Sequence, residues 1–153
     1  MEFNSIDDII QYAIDKEIEA ANFYEEAAKN IKLEGAQKVL QEYAAEERKH
    51  EQTLKDLKAN KAKISEYRFE KIQDIKRSDF LVEMEYRPDM DYVDLMRLAM
   101  KREEKANKLY NRLAESTDSP EHANYFKILA QEELKHKNSL ETLYDEYMSA
   151  HDD

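Results

Sequence analysis

Apolar residues recur along the first part of the chain at the spacing of one helix face: Ile6, Ile9, Ile10, Ala13, Ala20, Tyr24, Ala28 and Ile31. This predicts a first helix from Ser5 to about Leu33. Ser5 and Asp8, three residues apart, read as a capping pair, and Asp7 and Asp8 suit the positive end of the helix dipole. Glu17 lies inside the stripe, four residues after Ala13 and seven before Tyr24. A carboxylate at a core position costs free energy unless something compensates it.

Gly35, the only glycine, predicts the turn into a second helix from about Ala36 to Leu57. Its stripe is Val39, Leu40, Tyr43, Glu47, His50, Leu54 and Leu57, so two polar residues again fall on the inward face. Glu46 and Glu51 lie just off it and read as surface residues. Positions 58–90 carry scattered apolar residues, among them Ile64, Phe69, Ile75, Phe80 and Met84, and predict an ordered crossover with one short helix that ends before Arg87-Pro88. A third helix opens at Asp91, with Asp94 three on, and continues through Leu95, Leu98, Ala99, Glu103, Ala106, Tyr110 and Leu113. Thr117-Asp118-Ser119-Pro120 is a cap followed by proline at a first helical position. The fourth helix then runs through Phe126, Leu129, Glu133, His136, Leu140, Leu143 and Tyr147. The expected plan is one domain over 1–153: a hairpin at 5–57, the crossover at 58–90 and a second hairpin at 91–148.

Composition sharpens this plan. One Gly and two Pro in 153 residues, against 39% charged residues, leave almost no turn chemistry for a sheet and suit long helices with wet outer faces. The fold class is all-α, a four-helix bundle of two hairpins. A net charge of −11 argues against a nucleic-acid or anionic-membrane surface, because either needs a basic patch. It does not argue against cations. The absence of cysteine excludes disulfides, thiolate catalysis, Cys-ligated zinc and iron–sulfur clusters. Met1-Glu2-Phe3-Asn4 lacks the flank and apolar run of a signal peptide, and no apolar stretch approaches the roughly 20 residues of a membrane span. A cytoplasmic protein is the expectation.

The chemistry lies in a repeat. Glu47-Arg48-Lys49-His50 recurs as Glu133-Leu134-Lys135-His136, 86 residues later, and the same offset carries Glu17 onto Glu103. It also pairs Asp8 with Asp94, Ala13 with Ala99, Ala20 with Ala106, Tyr24 with Tyr110 and Leu54 with Leu140. A carboxylate and an imidazole three residues apart share a helix face, where both can point at one metal ion. Surface residues repeated by duplication of a hairpin would not all fall on apolar stripes, and these six do. Four carboxylates and two imidazoles form a hard-to-borderline donor set suited to Fe(II) or Mn(II), and four negative charges neutralise two divalent ions. A Glu from each of two helices, with Glu-x-x-His from the other two, is the pattern of di-iron carboxylate bundles.

The segments Glu17-Ile18-Glu19-Ala20-Ala21-Asn22-Phe23-Tyr24 and Glu47-Arg48-Lys49-His50, with their counterparts ending at Tyr110 and His136, resemble the ferritin-like domain of rubrerythrins over nearly the whole chain. The resemblance implies that Glu17 and Glu103 are terminal ligands, that Glu47 and Glu133 bridge two iron ions, and that His50 and His136 give one imidazole to each. It also implies that Tyr24 and Tyr110 stand just outside the ligand carboxylates; as residues alone they read equally well as core aromatics. Two features depart from the family. The four-cysteine rubredoxin-like domain has no counterpart here, and Ala106 stands where rubrerythrins carry an extra Glu one turn after the helix ligand. The expected activity is reduction of hydrogen peroxide or dioxygen with electrons from an external protein such as a rubredoxin. Ferroxidase or iron-handling activity and a metal-free helical interaction module are the other readings, and the resemblance and the apolar crossover together favour a homodimer.

Overall fold

The computed structural model describes residues 5–59 and 85–150, and four helices are present among them: α1 (Ile6–Asn30), α2 (Glu34–Lys58), α3 (Tyr92–Ser116) and α4 (Pro120–Ala150). The described residues hold no strand. Helices α1 and α2 form one hairpin, α3 and α4 another, and each hairpin is a compact unit of its own. The short helix expected within 58–90 falls mostly outside the described residues.

The caps explain where three of the helices begin. Ser5 Oγ accepts the Asp8 amide at 3.1 Å, and Asp91 Oδ1 accepts the Asp94 amide at 2.8 Å, so the offset of 86 reproduces the cap as well as its sequence. Ser119 Oγ accepts the His122 amide at 3.3 Å and leaves Pro120 as the first residue of α4, where its missing N–H is no loss.

The first turn differs from expectation. Helix α1 ends at Asn30, and Ile31 turns extended at φ −78°, ψ 139°, its amide still bonded to the Ala27 carbonyl. Gly35 does not make this turn but sits in the first turn of α2 with nothing within 4 Å of where a Cβ would stand. The reversal is made by Ile31-Lys32-Leu33 instead, where Ile31 is buried and Gln37 Nε2 donates to the Ile31 carbonyl at 2.7 Å. A side chain from the next helix thus satisfies a carbonyl that a glycine cap would otherwise serve.

Within each hairpin the facing stripes pack closely. In the first, Tyr24 of α1 meets Tyr43 of α2 edge-on at 5.6 Å, and Leu40, Leu54 and Leu57 are buried. In the second, Tyr110 of α3 stacks on Phe126 of α4 at 6.4 Å, with Leu113, Leu129 and Leu140 fully enclosed. Burying each such leucine contributes roughly 1.5–3 kcal/mol. The apolar face of α1 is wider than its sequence stripe, since Ile14, Ala21 and Ala27 are also buried.

Polar ties hold the hairpins beside their glutamates. Arg48 of α2 reaches across to α1, donating to Asn22 Oδ1 at 2.6 Å and to Glu25 Oε1 at 3.0 Å. In the second hairpin Asn107 Nδ2 of α3 donates to the Ala130 carbonyl of α4 at 2.7 Å, one turn before Glu133. Farther along the same hairpin, Arg97 Nε of α3 donates to Tyr144 Oη of α4 at 3.1 Å.

Candidate metal centre

Helical geometry brings three of the six residues together in each hairpin. Glu47 and His50, one turn apart on α2, share the face that α2 turns to Glu17 of α1. One ligand atom from each lies within 4.8 Å of the others. His50 Nδ1 stands 3.6 Å from Glu17 Oε1 and 4.0 Å from Glu47 Oε2. In the second hairpin His136 Nδ1 stands 3.5 Å from Glu103 Oε1 and 3.8 Å from Glu133 Oε2. The repeat in sequence is therefore a repeat in geometry, to within 0.2 Å on either comparison (3.6 against 3.5 and 4.0 against 3.8).

Those separations test the fit to a metal. They are too long for good N–H···O hydrogen bonds, which cluster near 2.9 Å. Donor atoms about 2.1 Å from one ion, by contrast, stand roughly 3.0–4.2 Å apart depending on the angle between them. All four distances fall in that range. Burial points the same way: Glu17, Glu47, Glu103 and Glu133 are 1–2% exposed. Carboxylates so deeply buried are costly without a positive charge to meet them, and two divalent cations match four of them. The residues present fit the group that their pattern implies.

The surroundings of the two triads differ. His50 is half-buried, and the next residue, Glu51, accepts from Lys55 Nζ at 2.6 Å and from Arg48 at 3.0 Å. The bond from Lys55, and after it that from Arg48, hold the Glu51 carboxyl below the usual range, while Glu25 and Glu51 raise the Arg48 guanidinium above its own. His136 is buried, and Lys137 beside it pairs with Glu141 at 2.9 Å, with 1% and 0% of the two side chains exposed. Lys137 and Glu141 had no place in the sequence stripe. The signal for them was available, because the offset of 86 maps them onto Glu51 and Lys55 with the signs exchanged.

Tyr24 and Tyr110 are buried at 1% and 2%. Each is fixed by rings of its own hairpin, Tyr24 by Phe23 and Tyr43 and Tyr110 by Phe126.

Two hairpins of one design, each bringing two buried glutamates against one imidazole, define an all-α protein with a candidate carboxylate–imidazole site in each half. The rubrerythrin family model matches residues 8–148, and the chain belongs to the rubrerythrin family. A hypothetical protein from Pyrococcus furiosus, solved experimentally, is 28% identical with a TM-score of 0.67, over 93% of this chain and 89% of its own. The fold is accordingly of the ferritin-like four-helix class. No curated protein sequence matches the chain. None of its described helices is long and apolar enough to cross a membrane.

Proposed function

We propose that the two triads together hold two iron ions, and that the protein is an oxidoreductase of rubrerythrin type. It would reduce hydrogen peroxide or dioxygen with electrons from an external donor protein such as a rubredoxin. The observation that carries this reading is the doubling, in which each hairpin buries two glutamates around one imidazole at ligand spacing. In this reading Glu17, Glu47, His50, Glu103, Glu133 and His136 would hold the ions, with Glu17 and Glu103 as terminal ligands, Glu47 and Glu133 as the shared carboxylates and His50 and His136 as one imidazole for each ion, the roles that the family resemblance implies. A manganese pair or a mixed pair would satisfy the same donors.

When bound, such a pair supplies two electrons to the oxidant and open positions at which it can be held. The chain supplies the rest. The four glutamates, each 1–2% exposed, would neutralise the cations where solvent screens their charges little. The rings of Tyr24 and Tyr110 are held by their neighbours, and in this reading their hydroxyls orient the ligand carboxylates. Conversion of one hydrogen peroxide to two waters takes two electrons and two protons. A chain without cysteine has no thiol or iron–sulfur relay to renew those electrons, which is why the donor must be external.

Turnover tests the reading. Iron-loaded protein supplied with a reduced rubredoxin should consume peroxide for as long as the donor lasts, while its iron content stays at two per chain. Uptake of many irons per chain, with Fe(II) itself consumed, would establish the ferroxidase reading instead. Protein that takes up no metal would point to the helical interaction module.

A further inference from the structure

The offset of 86 preserves the ligands but reverses the charges that follow them. After His50 come Glu51 and, four residues on, Lys55; after His136 come Lys137 and, four residues on, Glu141. The two pairs also differ in solvent contact: 14% and 48% of the Glu51 and Lys55 side chains are exposed, against 1% and 0% for Lys137 and Glu141. Glu before Lys is the order that favours an isolated helix, and α4 has the other order. Burying an ion pair is at best weakly stabilising as well. Helix stability therefore does not account for Lys137 and Glu141.

Enclosure does. On α4 the residues Glu133, His136, Lys137, Leu140 and Glu141 are all buried, so two full turns of the ligand-bearing face are closed. On α2 the matching face opens at His50, whose side chain is 15% exposed against 5% for His136. A metal ion leaves its ligands by exchanging them for water or a chelator, and groups packed behind the ligands govern that access.

We propose that Lys137 and Glu141 are positioning residues that seal the His136 half-site, so that the ion held there exchanges slowly while the ion held by His50 exchanges first. This rests on the two-ion reading above. The pair seals by volume and by mutual neutralisation: two long side chains fill the face, and each offsets part of the cost of burying the other's charge.

The test is release kinetics. The full chain is loaded with Co(II) in the absence of oxygen, its metal content is measured, and loss of the Co(II) visible absorption is followed after mixing with excess EDTA. Wild type should release one ion per chain in each of two phases, separated by about tenfold or more, the range in which groups behind the ligands act. His50→Ala should delete the fast phase. The double variant Lys137→Ala/Glu141→Ala should speed the slow phase about tenfold. Lys137→Met/Glu141→Leu, which refills the space without charge, should restore slow release, a rescue that a general loss of stability would not show. Two ions released in one phase by wild type would overturn the inference alone, whether or not any variant folds. So would a slow phase that the alanine pair leaves unchanged. Loading of fewer than two ions would overturn the two-ion reading and this inference with it.

Discussion

His136 Nδ1 lies 3.5 Å from Glu103 Oε1, across the α3–α4 hairpin, in a contact with almost no solvent on either side chain. The distance is long for a hydrogen bond and right for two atoms sharing an ion. The same relationship stands at 3.6 Å between His50 and Glu17. A duplicated hairpin could keep its hydrophobic stripe and lose such a detail, because packing tolerates many apolar choices. Preservation of a costly buried arrangement in both halves points to a requirement that packing does not impose.

Stoichiometry is the first consequence. Protein purified without chelator should carry two metal ions per chain by elemental analysis. Glu47→Ala and Glu133→Ala should each lose both ions, because a bridging carboxylate serves the pair, whereas one ion tightly retained in either variant counts against bridging.

Metal should also stabilise the fold. A ligand that binds only the native state adds about 2.7 kcal/mol when its free concentration is a hundred times the dissociation constant. Thermal unfolding followed by circular dichroism, without oxygen, should therefore show a higher Tm with Fe(II) or Mn(II) than with EDTA. The shift should vanish when Glu17, Glu47, Glu103 and Glu133 are all changed to Gln. An identical Tm with and without metal would remove the energetic basis of the site.

Much of this was legible in the sequence because the informative residues were out of place. Glu17, Glu47, His50, Glu103, Glu133 and His136 stood out by interrupting apolar stripes, and the offset of 86 made six exceptions into one pattern. Helix starts were legible too, since Ser5, Asp91 and Ser119 cap by local hydrogen bonds that need no tertiary context. Gly35 misled because glycine marks many helix ends, whereas here the reversal is stabilised by Gln37 bonding back to Ile31, a side-chain bond across six residues that no glycine signal marks. Lys137 and Glu141 were missed for a related reason. Under the offset of 86 their signs exchange with Glu51 and Lys55, so the repeat that singles out the six candidate ligands does not single out this pair, and packing shows that it is enclosed.

Glu51 makes a pH-dependent contribution whose sign is fixed. Its carboxyl is held below the usual range by Lys55 and Arg48, so it favours the folded state when ionised. That stability is fully present above the ordinary glutamate value of about 4.3 and is lost as pH falls through the lowered folded-state value. Glu51→Gln should thus destabilise the protein at pH 7 by at most about 1 kcal/mol, the upper end for partly exposed pairs. The difference from wild type in urea unfolding should shrink steadily below about pH 4. A difference that grows with acidification would reverse the assignment.

Both half-sites should act in one reaction. If the triads act as a single centre, iron-loaded, reduced protein should take up two electron equivalents of oxidation from about one peroxide per chain, in one kinetic event. No second round should follow without a donor, because the chain has no cysteine with which to renew the electrons. His136→Ala removes one imidazole while keeping a good helix former in the middle of α4, so circular dichroism should show the helix intact. Stopped-flow absorption of that variant should show the two-electron event gone, with at most slow oxidation in its place. Full-speed oxidation in the variant would mean that His136 is not a ligand and that the second triad only resembles the first.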